Sequence, residues 1–165
     1  MRTRYLTEAQ VQRTMDRMAH EIIERNKSAK SLTVIGIKTT GAILAHHLAR
    51  RISEVGRMPI SSIELDVTPF RDDQPYQPST SSLPDLTGRD VILVDDVLFT
   101  GRTVRAALDA VIRSGRPSSI QLLVLIDRGH REYPIQPDYV GRVMPTKHKE
   151  HVEVDRETLS VDIVE

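Results

Sequence analysis

Two adjacent carboxylates, Asp95 and Asp96, close an apolar run of Val91, Ile92, Leu93 and Val94, and a Thr100-Gly101-Arg102-Thr103 loop follows them. An unbroken run of β-branched and bulky residues suits a strand of a parallel sheet buried on both faces, and ligands of open α/β sheets gather outside the carboxyl ends of such strands. Paired carboxylates there can accept hydrogen bonds from vicinal ribose hydroxyls or hold Mg²⁺ through its bound water. Backbone N–H groups from Thr100 to Thr103, opening the next helix, can surround a phosphate, and the hydroxyls of Thr100 and Thr103 add neutral donors. The order of parts predicts a sugar-phosphate site. A buried strand with an acidic solvated end and an ordinary helix cap is the alternative, and it leaves the joint occurrence of all three parts unaccounted for.

A second loop, Gly36-Ile37-Lys38-Thr39-Thr40-Gly41, has the glycine separation of a phosphate-binding P-loop. Ala42 and Ile43 stand where that loop needs Lys and Ser/Thr, which argues against a nucleoside triphosphatase. No complete Rossmann glycine fingerprint is present, so a dinucleotide is also disfavoured. Taken alone, the loop reads equally well as a strand-to-helix turn carrying a surface lysine.

Alternating strands and helices must position these loops. Thr7 and Gln10 have capping-box spacing, and Val11, Met15, Met18, Ala19, Ile22 and Ile23 recur on one face of an opening helix that ends near Asn26. Residues 32–37 read as a buried strand, and Leu44, Leu48 and Ile52 as the register of the next helix. Residues 63–67 alternate apolar and acidic, which predicts a strand with one polar face. Residues 68–88 contain Pro69, Pro75, Pro78 and Pro84 and a Ser/Thr run, and are expected to form a long loop without regular structure. After the central strand and helix, Gly115 reads as a helix stop, residues 119–126 as another buried strand, and residues 152–154 with 159–164 as a terminal hairpin. The expected fold is α/β: one domain over residues 1–165, with a mostly parallel central sheet, helices on both faces, the long loop as a lid, and a small hairpin.

Composition narrows the partners. Lys plus Arg (23) balances Asp plus Glu (23), so no global positive charge drives nonspecific nucleic-acid binding, and any RNA contact must be local. The absence of cysteine excludes disulfides and thiolate metal sites and agrees with a cytoplasmic setting. The opening MRTRYLTEAQ lacks a signal-peptide core, and no apolar stretch approaches membrane-spanning length, so no membrane partner is expected.

The segment from Val91 to Thr103 resembles the phosphoribosyl-pyrophosphate (PRPP) motif of type I phosphoribosyltransferases. Longer blocks carry a narrower likeness: MAHEIIERNK, VIGIKT, DVILVDDVLFTGRTVRA and GRPSSIQLLVLIDRGHRE, with PIQPDYVGR and PTKH after them. From about Leu6 to the C-terminus they resemble the bifunctional pyrimidine-operon attenuation regulators that are also uracil phosphoribosyltransferases. The resemblance implies the type I phosphoribosyltransferase fold and conversion of uracil and PRPP to UMP and pyrophosphate with Mg²⁺. It also implies binding of pyrimidine-operon leader RNA in response to UMP or UTP, and a homodimer or higher homo-oligomer. By this likeness Asp95 and Asp96 hold ribose and metal-bound water. Val97, Leu98, Phe99, Thr100, Gly101, Arg102 and Thr103 form the PRPP/UMP segment, with the 5′-phosphate on the last four. Lys38, Thr39, Thr40 and Gly41 face pyrophosphate, and Arg71 at the lid's start is a candidate to join Lys38 in stabilising the leaving group. Ile126, Asp127 and Arg128 border uracil.

The family's RNA face maps onto Arg17, His20, Arg131 and Arg142, although each singly also reads as a solvated or structural side chain. Three positions depart from the family. Thr40 and Gln136 replace arginines and Asp16 replaces a threonine, which subtracts positive charge from the pyrophosphate loop and from the RNA face; the lid is also shorter and richer in proline. Alternatives therefore stay open: an RNA-binding nucleotide sensor with weak catalysis, a phosphoribosyltransferase without RNA binding, and a purine-base enzyme of the same fold.

Overall fold

A computed structural model of the chain describes residues 1–26, 28–73, 75 and 82–165. β1 (Arg2–Leu6) leads into α1 (Glu8–Arg25), β2 (Leu32–Ile37), α2 (Thr40–Gly56) and β3 (Ser62–Leu65). Then come β4 (Asp90–Leu98), α3 (Arg102–Arg113), β5 (Ser119–Asp127), β6 (Tyr139–Val143), β7 (His151–Val154) and β8 (Val161–Val164).

The central sheet has five parallel strands in the order β3-β2-β4-β5-β6. Successive side chains of its inner strands serve opposite cores. Val34, Ile92, Val94 and Leu123 pack with the apolar stripes of α1 and α2, whereas Ile35, Leu93, Leu122 and Val124 pack with Val104, Ala107 and Val111 of α3. Fully buried strands on both faces explain why the sequence runs, rather than alternates, through β4 and β5. The register aligns the carboxyl ends. Gly36 pairs with Val94, Leu98 with Asp127, and Asp127 with Val143.

The capping box forms as expected: Gln10 N–H donates to Thr7 Oγ1 at 3.2 Å and Thr7 N–H to Gln10 Oε1 at 2.8 Å. β3 is shorter than residues 63–67, because Asp66 turns out to accept the Thr68 amide at 3.0 Å and Val67 already enters the next turn. The predicted hairpin is the antiparallel pair β7 and β8, and β1 adds a third strand on the other side of β8. β1 escapes a periodicity search because only Leu6 of its five residues is buried; Arg2 and Arg4 instead pair with Asp162 across the strands. β6 escapes it too, being short and interrupted by Gly141, where a Cβ would come within 2.4 Å of Leu125 O and 2.9 Å of Thr14 Cγ2.

Part of the expected lid, residues 74 and 76–81, lies outside the described residues. Its described ends are tied to the body. Residues Thr68–Phe70 form a short 3-10 turn, and Phe70, Leu83 and Leu86 sit in the α3 core. No helix among the described residues is long and apolar enough to cross a membrane.

Candidate active site

The loops after β2, β4 and β5 leave the carboxyl ends of adjacent parallel strands, and the one after β4 opens α3. The β2–α2 turn is compact because two glycines sit where a side chain would collide. A Cβ on Gly36 would fall 2.5 Å from Ala42 Cα, and one on Gly41 would fall 3.1 Å from Asp95 Cα and Oδ1. The first turn of α2 thereby rests on β4. Lys38 and Thr39 are exposed on this turn and Thr40 is partly so; the Lys38–Thr39 peptide is cis. Lys38 N–H donates to Leu65 O at 2.9 Å. Asp66 is held below the usual carboxylate range by the Thr68 amide, with the charge of Lys38 contributing.

The acidic pair lies within β4, which runs on to Leu98, rather than at its last residues. Asp95 is buried, and its Oδ1 accepts the Asp96 amide at 2.9 Å; Asp96 is partly exposed, and its Oδ1 accepts the Val97 amide at 2.8 Å. Burial pushes the Asp95 carboxyl well above the usual range, and the neighbouring Asp96 charge adds to the rise. Beyond the strand, Gly101 takes a left-handed φ of 90° immediately before α3, where a residue with a Cβ would be strained. The N-terminal amides of α3 thus begin four residues beyond Leu98, the last residue of the strand that carries the acidic pair, and are free of helical partners.

Leu98 and Ile126, expected to border nucleotide and base, place their side chains in the cores, at 1% and 0% exposure. Only their backbone is available to a ligand, and Leu98 O is taken by the Arg128 amide at 3.0 Å. Phe99 instead forms a partly exposed platform. The Arg128 guanidinium lies 4.0 Å from its ring centroid and His130 meets it edge-on at 5.6 Å. Arg128 is buried and donates to Thr146 Oγ1, Lys147 O and Glu150 O, so it fastens the loop before β7 over the end of β5. His130 reinforces the contact: its Nε2 donates to Thr146 O at 2.5 Å, leaving Nδ1 to accept from His148 Nε2 at 3.1 Å. Asp127 accepts from the Gly129 amide and from Arg131. Arg71 forms a two-pronged ion pair with Asp73, at 2.9 and 2.7 Å, so its charge is engaged within the lid's described limb. Thr146, His148 and Tyr133 were given no role from the sequence, although the PTKH block contains the first two and Tyr133 follows the DRGHRE block directly.

The chain has known relatives. The chain matches the phosphoribosyl transferase domain family over residues 1–156. It is similar in fold to a hypoxanthine phosphoribosyltransferase from Trypanosoma cruzi in complex with the product IMP, with a TM-score of 0.79, 18% identity and coverage of 98% of this chain and 93% of that one. It is also similar to a hypoxanthine phosphoribosyltransferase from Staphylococcus aureus, with a TM-score of 0.76, 21% identity and coverage of 96% and 90%. Sequence decides within the fold. The chain is 55% identical to the "Bifunctional protein PyrR" of Deinococcus deserti, covering 97% of this chain and 91% of the relative. It is 52% identical to the protein of that name from Brevibacillus brevis, covering 96% and 93%. The chain belongs to the PyrR family. A "Pyrimidine operon regulatory protein" from Lactococcus lactis is 49% identical, covering 92% and 88%.

In this PyrR-family chain the residues expected on the RNA face separate into two groups. Arg17 of α1 donates to Val140 O at 3.0 Å and Gly141 O at 2.9 Å of β6, one residue from exposed Arg142, so α1 and β6 share a surface. His20, exposed one turn along α1, donates from Nδ1 to Asp16 O at 2.8 Å. Arg131 is engaged differently. Its Nε, NH1 and NH2 donate to Ile135 O, Phe99 O and Asp127, which makes it a brace of the β5 loop. Asp16 was expected to place an uncompensated negative charge on this face. It instead pairs with Arg51 of α2 at 2.5 Å, so a cation stands beside it between the helices.

Proposed function

We propose that the protein is a uracil phosphoribosyltransferase, joining uracil to PRPP to give UMP and pyrophosphate, and that it also regulates pyrimidine operons by binding leader RNA when a uridine nucleotide occupies the same site. The observation that carries the first half is the seating of the Lys38–Gly41 turn directly on Asp95. The Thr100–Thr103 turn follows the acidic pair at the end of the same strand, β4, and opens α3, which supports reading the three segments as one sugar-phosphate site. The setting is the cytoplasm, and the assembly a dimer or larger, as the resemblance to the family implies.

The reaction displaces pyrophosphate from C1 of PRPP by a ring nitrogen of uracil, through a transition state with positive charge on the ribose ring. Asp95 and Asp96 accept from the ribose hydroxyls and stabilise that charge. Amides of residues 100–103 fix the 5′-phosphate, and Lys38 with the amides of the β2–α2 turn draws off the leaving pyrophosphate. Backbone groups beside Asp127 and the Phe99 platform orient the base, while the loop held by Arg128 and His130 keeps water from the ring. The donors present fit Mg²⁺ held through water: Asp95 and Asp96 are adjacent carboxylates, the first buried and the second partly exposed, and among the described residues no cation offsets the first. An ion there would take most of its shell from water and substrate oxygens, as Mg²⁺ commonly does. When bound, it would neutralise charge building on pyrophosphate.

Steady-state formation of UMP from uracil and PRPP tests this reading. Turnover with uracil and none with hypoxanthine, guanine or xanthine is expected, and absence of turnover with Mg²⁺ present would reduce the site to a nucleotide sensor. The regulatory half rests on the shared α1–β6 surface carrying Arg17, His20 and Arg142. A gel shift of leader RNA that strengthens with UMP is expected, and RNA binding indifferent to UMP would remove it.

A further inference from the structure

We infer that Tyr133 is a positioning residue for the phosphate turn, acting through Arg102, and that Asp72 competes with a bound ribose 5′-phosphate for that arginine. The inference rests on the proposed reading of residues 100–103 as the phosphate site.

Arg102 is the first residue of α3, and an arginine at that place has many solvated rotamers. Here it has partners on three side chains. Its NH1 donates to Tyr133 OH at 2.8 Å while the guanidinium carbon sits 4.7 Å from the Tyr133 ring centroid. The same NH1 donates to Asp72 Oδ2 at 3.2 Å, and Nε reaches Glu132 Oε1 at 3.4 Å. Tyr133 OH in turn donates to Asp72 Oδ2 at 3.0 Å, which completes a three-membered ring of side chains. The backbone is joined as well, since the amides of Glu132 and Tyr133 both donate to Thr100 O, at 2.9 and 3.0 Å. One dipeptide therefore holds both the main chain of the phosphate turn and the cation on it.

The two kinds of partner differ in what an incoming phosphate does to them. Asp72 is an anion at the start of the lid, and a phosphate dianion on the α3 amides offers Arg102 a stronger acceptor than a single exposed carboxylate. Tyr133 is neutral, so it keeps its hold on the guanidinium whichever anion is present. Its hydroxyl then limits the rotamer freedom that Arg102 would lose on binding, and that saving appears as affinity for the phosphate group alone.

The test compares UMP with uridine, which differ only in the phosphate, by calorimetry on the full chain, together with KM for PRPP and for uracil. In Tyr133→Phe the ring stays and the hydroxyl goes, and one lost hydrogen bond predicts UMP affinity weaker by about threefold to tenfold. Uridine affinity, KM for uracil and kcat should hold while KM for PRPP rises. Asp72→Asn should bind UMP more tightly and uridine unchanged. UMP affinity unaltered in Tyr133→Phe, or equal losses for UMP and uridine with a lower Tm, would overturn the inference. A wild-type chain that fails to distinguish UMP from uridine would instead overturn the phosphate reading beneath it, and the inference with it.

Discussion

Gly41, in the first turn of α2, lies against Asp95 of β4, with room for a hydrogen and not for a methyl group: a Cβ would come within 2.9 Å of Val94 O and 3.1 Å of Asp95 Oδ1. Val94 O is backbone in the middle of the sheet and cannot swing aside, so an added carbon must lift the turn off the strand. Gly41→Ala is expected to cost about 1–3 kcal/mol of stability, the usual penalty of overpacking. It should also weaken PRPP binding at least about tenfold, because reacting groups tolerate little misplacement. Urea unfolding and calorimetric titration with PRPP measure the two effects. Normal PRPP affinity in a destabilised variant would mean that the contact supports the fold alone.

Asp95 ties the site to pH. Its folded carboxyl is raised first by burial and then by Asp96, so folding favours the protonated acid. A group raised in this way contributes stability below its unfolded value, and that contribution is lost as pH rises through the folded one. Apo wild type should therefore lose Tm across the interval above the ordinary aspartate range, and Asp95→Asn should lose less of it. The asparagine Oδ1 can still accept the Asp96 amide, so the variant remains folded. Ligation reverses the sign: a cation or ribose hydroxyls on Asp95 favour its ionised form, and Mg²⁺-dependent PRPP binding should tighten with rising pH in wild type but not in the variant. Equal pH profiles for the two proteins would show that Asp95 does not titrate in this range.

What the sequence made legible follows from where the information is local. Buried parallel strands must be apolar throughout, so β2, β4 and β5 stood out; the α1 cap was readable because both halves of the box lie three residues apart. The acidic pair and the turn after it were readable as a segment because they are contiguous. Partnerships across the chain were not. Nothing in the text of residue 16 says that its carboxylate meets Arg51, and nothing near Arg131 says that Asp127, Phe99 and Ile135 occupy its donors. β1 was hidden for the same reason, since Arg2 and Arg4 find their partner at Asp162, at the other end of the chain.

Thr40 begins α2 beside Gly41, on the turn assigned to pyrophosphate. A guanidinium there would meet the leaving group with two parallel donors, at the cost of a positive charge near the positive end of the helix. Thr40→Arg is expected to lower KM for PRPP and raise kcat, with a stability loss of about 0.3–1 kcal/mol that pyrophosphate restores. Initial rates at varied PRPP measure the gain. Unchanged rates would show that Lys38 and the backbone amides already supply what the leaving group needs.

The last prediction separates charge on the RNA face from bracing of the site. Arg142 is exposed on β6, and its side chain has no hydrogen bond or ion pair among the described residues, whereas Arg131 holds Asp127, Phe99 O and Ile135 O. Arg142→Gln should weaken leader-RNA binding and shallow its dependence on salt by about 0.7 in log–log slope, the loss of one phosphate contact on a single strand, with UMP affinity intact. Arg131→Gln should weaken UMP and RNA together, because the loop bordering the base loses its brace. Asp16→Thr behaves differently from either. It breaks a half-exposed pair worth under about 1 kcal/mol, and it frees Arg51, so RNA affinity should rise and its salt dependence steepen. Adding Gln136→Arg should raise both further. If the doubly substituted chain binds leader RNA no better than wild type, the charge lost at these two positions does not set its affinity, and contacts through Arg17 and His20 of α1 must carry it.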